Sequence, residues 1–261
     1  GSDTLQAGAG DDYLSGGYDN DVLDAGEGNN RAHGGDGDDI ITAGSGNDYL
    51  NGGRGNDDIQ GGDGDNDLRG HDGNDVLTAG AGNDDLRGDR GDDILNAGEG
   101  NNYLSGGDSA DTLNAGAGDD KLVGGRGNDI LNAGEGTNRL YGHDGNDVLN
   151  TGGGDDYLHG GRDDDELNAG AGSDTLYGDR GEDVLNAGDG DDVLRGSHDD
   201  DVLNGGAGND NLRGDDGDDL INAGAGDDII RGGRGDDLIE GGFGDGSDII
   251  YDFKAGAGSE D

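Results

Sequence analysis

The chain has 261 residues, of which 65 are Gly and none is Pro, Cys, Met or Trp, and its formal net charge is −48 at pH 7. That charge excludes nucleic acid and an anionic membrane surface as main partners and points to cations. No Cys means no disulfide framework and no thiol chemistry, and no apolar run is long enough for a signal peptide or a membrane-spanning helix.

Low hydrophobicity with high charge places the composition near disordered chains, yet internal periodicity contradicts a linker. Gly1-Ser2 already fits the repeat, and from Ala7 to Glu240 the chain reads as 26 consecutive nonapeptides without a register slip. The pattern is small-Gly-x-Gly-x-Asp-x-apolar-x, as in Gly124-Gly125-Arg126-Gly127-Asn128-Asp129-Ile130-Leu131-Asn132. Position six is Asp in 22 units and Asn in four, and position eight is Leu or Ile in 25 units and Ala32 in one. Units that begin Ala-Gly alternate with units that begin Gly-Gly, so the structural period is two nonapeptides. Positions seven to nine alternate as a strand does, and the Gly-rich hexad before them makes a turn.

This predicts an all-β chain: a parallel β-roll, or β-solenoid, of about 13 two-strand coils. Residues 1–240 form the roll and 241–261 a short C-terminal cap. Position-eight side chains meet between the two sheets. Two buried aliphatic side chains per coil make a thin core, and stacked Asp columns repel. The chain is therefore expected to be largely unfolded without a ligand.

Position six supplies the candidate ligands. Along the Gly-Gly loops the column is Asp21, Asp39, Asp57, Asp75, Asp93, Asp111, Asp129, Asp147, Asp165, Asp183, Asp201, Asp219 and Asp237. Along the Ala-Gly loops it is Asp12, Asn30, Asp48, Asn66, Asp84, Asn102, Asp120, Asn138, Asp156, Asp174, Asp192, Asp210 and Asp228. Position five drifts among Asp, Asn, Ser, Thr, Ala and Glu, whereas position six does not; solubility alone would not make that distinction. A hard dication suits carboxylate and carbonyl oxygens. Zinc does not fit, because His33, His71, His143, His159 and His198 form no ligand pair at zinc-finger spacing and read as surface residues.

At these residues the sequence resembles the repeats-in-toxin (RTX) family of calcium-binding β-rolls, whose motif is Gly-Gly-x-Gly-x-Asp-x-(large apolar)-x. The tail Asp248-Ile249-Ile250-Tyr251-Asp252-Phe253 is similar to that family's C-terminal flank. The resemblance implies that each Ca2+ sits between loops of successive coils on one edge, held by position-six Asp and loop carbonyls. Filling all 24 gaps would bring +48, equal in size to the formal charge. Gaps that pair Asp with Asn are expected to bind more weakly, since Asn offers an amide oxygen without charge. Position four is Asp19, Ser109, Asp163 or Asp199 instead of Gly in four units, where loop distortion or a weakened site is expected. The resemblance further implies export through a type I secretion channel, folding in external calcium, and a structural or folding role in a larger secreted protein. The ending Ser259-Glu260-Asp261 reads as the middle of the cap.

The outward positions differ between the sheets. One carries Arg31, Lys121 and Arg139 at position seven, Arg69, Arg87, Arg195, Arg213 and Arg231 at position nine, and six Tyr. The other carries no cation; Val22, Ile40, Val76 and their successors fill position seven, and Asn96 to Asn222 fill position nine in eight successive coils. The Val/Ile column reads as β-propensity and cross-strand packing, and the Asn column as a stacked amide ladder. The cationic face offsets the acidic edges, and contact with an acidic polysaccharide is the alternative. Two other readings stay open: a polysaccharide- or ice-binding module, although Thr is sparse for the latter, and the C-terminal repeat region of a secreted enzyme or toxin. No Gly-Lys-Ser/Thr occurs, no strand and helix flank the Gly-x-Gly motifs, and no Asp pair is singled out, so the chain is read as not an enzyme.

Overall fold

The computed structural model describes residues 1–240 and 246–251. Asp252, Phe253 and the closing Ser259-Glu260-Asp261 lie outside the described residues. Positions seven to nine of every nonapeptide form strand. The first two strands are β1, Thr4–Gln6, and β2, Tyr13–Tyr18; the last two are β27, Leu238–Glu240, and β28, Ile249–Tyr251. Odd-numbered strands make one 14-stranded sheet and even-numbered strands the other. Every pairing is parallel, and the register steps by two nonapeptides, as in Leu23 against Ile41 and Leu122 against Leu140.

Fourteen turns appear where 26 whole nonapeptides predict thirteen, because a partial unit is added at each end. Asp3-Thr4-Leu5-Gln6 is the second half of a nonapeptide, and Thr4 pairs with Val22. At the other end Ile249 pairs with Ile229, a slightly longer step than elsewhere, so part of the expected cap continues the sheet as its last strand.

The core is one column of side chains per sheet. Position-eight residues from Leu23 to Ile230 are fully buried, Ala32 among them, while Leu5, Ile239 and Ile250 at the ends are partly covered. Ala25, Ala97, Ala133 and Ala169, at position one of the Ala-Gly loops, are also buried and widen the core on that edge. The even strands run on through the Gly-Gly pair, as β2 does. Early odd strands such as Val22–Asp24 stop after position nine.

Turns depend on left-handed backbone. Gly28 has φ +111, and a Cβ there would lie 2.4 Å from the Gly10 carbonyl oxygen one coil below. In the Gly-Gly loops, position-four glycines keep φ between +118 (Gly91) and +154 (Gly217). The four departures stay left-handed but shift, to 72 at Asp19, 87 at Ser109, 71 at Asp163 and 75 at Asp199. The expected distortion is thus a local rotation into the region that Asp tolerates.

Candidate metal sites

Positions five and six start each rung, and their backbone N–H groups find side-chain acceptors in neighbouring coils. At position six the donor looks forward: Asp21 N donates to Asp39 Oδ1 at 2.7 Å, Asp39 N to Asp57 Oδ1 at 2.8 Å and Asp156 N to Asp174 Oδ1 at 2.8 Å. At position five it looks back: Asn47 N donates to Asn29 Oδ1 at 2.8 Å and Asp65 N to Asn47 Oδ1 at 3.0 Å. The structure brings all 26 predicted position-six residues into two continuous columns. It adds Asp3, whose N donates to Asp21 Oδ1 at 2.7 Å, and Asp248, whose Oδ1 accepts from Asp228 N at 3.1 Å. Both could have been found by extending the motif into incomplete units.

The second carboxylate oxygen is the distinctive atom. In 20 of the 22 position-six aspartates Oδ2 is buried and has no hydrogen-bond partner; Asp12 and Asp237, near the ends, are half-buried. Burial without a partner is costly for a carboxylate. It pushes Asp165 up to about 9, Asp111 and Asp201 to about 8, and Asp57 and Asp93 to about 7, with carboxylates of the same column adding to the effect. Asp48, Asp120 and Asp156 are also raised by burial, with the Asn30, Asn102 and Asn138 amides among the groups opposing it.

On the Gly-Gly edge each Oδ2 lies against the first glycine of its own loop. A Cβ on Gly34 would stand 2.1 Å from Asp39 Oδ2 and 2.8 Å from the Gly52 carbonyl oxygen. The Gly-Gly loop is therefore a cradle of carboxylate and carbonyl oxygens that Gly leaves open. Among the described residues no three acidic or His side chains converge on one point, so backbone carbonyls must supply much of any coordination. Oxygen-only donors, with a buried anionic atom left over, fit calcium.

The four Asn members differ. Asn30 Nδ2 donates to the carbonyls of Gly26 and Gly28, at 3.2 and 2.9 Å, while its Oδ1 accepts from Asp12 N at 3.0 Å. Asn66, Asn102 and Asn138 repeat the arrangement.

On the outer faces, the amide ladder runs from Asn96 to Asn204, each Asn Nδ2 donating to the preceding Oδ1 at 2.8–2.9 Å. The cations of the other sheet are largely engaged within the chain. Arg69 pairs with Asp67 and Arg87 with Asp85, at 3.1 and 2.7 Å. Arg195 and Arg213 share Asp215, and Arg231 lies over Tyr251 at 4.7 Å. His33, His143 and His198 are exposed as expected, whereas His71 and His159 are half-buried and contact Asp89 and Asp179 at 2.9 and 2.6 Å. A groove of about 770 Å3 mixes Arg162, Arg180 and Arg234 with Asp179, Asp215 and Asp216. Among the described residues no helix is long and apolar enough to cross a membrane.

A family profile described as "RTX calcium-binding nonapeptide repeat (4 copies)" matches overlapping segments from 1–32 to 213–248, leaving no residue between 1 and 248 unmatched. Comparison with curated proteins gives no match. Among solved structures, a hyperactive, Ca2+-dependent, beta-helical antifreeze protein from an Antarctic bacterium is similar at 22% identity and a TM-score of 0.43, over 94% of this chain and 84% of that one.

Proposed function

Because the chain belongs to the family of RTX calcium-binding nonapeptide repeats, we propose that its position-six aspartates bind Ca2+ along both loop edges and that this binding drives folding. The observation that carries the reading is the row of buried, unpartnered Oδ2 atoms. A bound dication supplies the positive charge that these oxygens and the nearby loop carbonyls need. The aspartates hold the cradle in shape by accepting backbone N–H at Oδ1, which leaves Oδ2 free to ligate.

The roll acts outside the cell, as a structural and folding module of a larger secreted protein. Low-affinity oxygen sites of this kind match external calcium levels, and family membership agrees with export before folding. No position-six carboxylate has surroundings that set it apart from its column, which supports a repeat module rather than an enzyme. An acidic glycan partner has less support, because Arg195, Arg213 and Arg231 are engaged within the chain. For ice the Thr column is lacking.

Circular dichroism tests the reading. At neutral pH the chain in EDTA should look disordered and gain β signal in millimolar Ca2+, and Mg2+ should act poorly because it demands stricter octahedral geometry. A full β spectrum in excess chelator at neutral pH refutes it.

A further inference from the structure

The position-six side chains of the two loop types differ in more than charge. In an Asp loop the atom nearest the cradle is an oxygen among oxygens. In an Asn loop the same place holds an NH2 group with both hydrogens committed: Asn66 Nδ2 reaches the Gly62 and Gly64 carbonyls at 3.1 and 2.9 Å, Asn102 those of Gly98 and Gly100 at 3.3 and 3.0 Å, and Asn138 those of Gly134 and Gly136 at 3.3 and 3.0 Å. These carbonyls belong to loop positions two and four. The other end of each carboxamide is also taken, since Asn66, Asn102 and Asn138 Oδ1 accept from Asp48, Asp84 and Asp120 N at 2.9, 3.0 and 3.0 Å. All four Asn are buried.

The orientation is fixed by this network. Turning the amide to aim Oδ1 at the cradle would face NH2 against a backbone N–H and break three hydrogen bonds per residue. A Ca2+ held by the same two carbonyls needs oxygens at about 2.3–2.6 Å, and the amide nitrogen stands where it would sit.

We propose, resting on the calcium reading above, that the loops ending in Asn30, Asn66, Asn102 and Asn138 take no cation and are closed permanently by their own carboxamides. On the Ala-Gly edge this leaves cation-binding loops alternating with neutral ones up to Asp156, while the Gly-Gly edge is charged throughout. The amide serves as a built-in replacement for the metal in every second coil of that stretch. It relieves the repulsion of stacked ions there and lets four turns close before calcium arrives.

The test is calcium stoichiometry at saturation, by equilibrium dialysis and atomic emission, on the full chain and on the quadruple variant Asn30→Asp, Asn66→Asp, Asn102→Asp, Asn138→Asp. The variant should bind at least four more ions per chain, one or more for each restored loop. If it fails to fold, the single variant Asn66→Asp should bind at least one more. Equal counts in folded proteins that do bind calcium overturn this inference and leave the calcium reading standing. No binding by the unmodified chain refutes both.

Discussion

Protons should replace calcium in closing the Asp loops. The perturbation is acidification in excess EDTA. Thirteen position-six aspartates are pushed by burial from 3.8 to between about 6 and about 9. Their folded-state values lie above the unfolded one, so the folded chain binds more protons. The stability they contribute is fully present below about pH 4 and is lost as pH rises through about 6 to 9. Each group changes stability by about 1.4 kcal/mol per pH unit within its window. Thirteen acting together give a slope on the order of 10–20 kcal/mol per pH unit, moderated because a solenoid can melt from its ends. The chelated chain, disordered at pH 7.5, should therefore gain β signal steeply on acidification toward pH 4–5. In saturating calcium the signal should be present already at pH 7.5. Circular dichroism against pH, with sedimentation velocity to count aggregates separately, reads this. A chelated chain that stays disordered as a monomer at pH 4.5, or that orders as pH rises, refutes the argument.

Three further outcomes are expected. Gly124→Ala would put a Cβ 2.4 Å from Asp129 Oδ2, and should lower stability in calcium by about 1–3 kcal/mol and weaken one site. For Gly61→Ala the nearest atoms are Leu68 Cδ2 at 3.2 Å and the Asn66 amide at 3.3 Å, and the change should be close to neutral, both variants being compared by thermal melts in Ca2+. Asn150→Ala removes the ladder bonds to Asn132 and from Asn168, each 2.9 Å, which should cost about 1–2 kcal/mol in urea unfolding and leave the calcium count unchanged.

The roll was legible in the sequence because two positions carry it: an apolar residue at eight fixes the inward face, and Asp or Asn at six marks each turn. The amide ladder expected from Asn96 to Asn222 was legible as far as Asn204, where its side-chain bonds end, since a parallel register stacks like on like. Less visible was what each polar atom does. That Oδ2 of Asp39 is buried without a partner depends on the folded loop around it, and no letter records that. Asn66 reads as a weak ligand until its NH2 is seen on two carbonyls. Position five looked variable, yet Asp, Asn and their substitutes share a backbone role there that tolerates change, as an exposed acceptor can be replaced at small loss. Arg195 and Arg213 looked like a binding face because Asp215, their partner, sits in the following turn, where Gly is usual.

The alternation of Ala-Gly and Gly-Gly loops limits how such a chain can change length. Ala25 fills the core on one edge, while on the other a methyl at Gly34 would collide with Asp39. A duplication or deletion of a single nonapeptide would preserve the motif but exchange the edges beyond it. The amide row would cross to the face of Arg and Tyr, and the buried Ala column to the other edge. Adding or removing a pair of nonapeptides leaves each neighbour relation intact. Selection for a longer or shorter protein can therefore act only in whole turns, and the heritable unit is the coil rather than the nonapeptide.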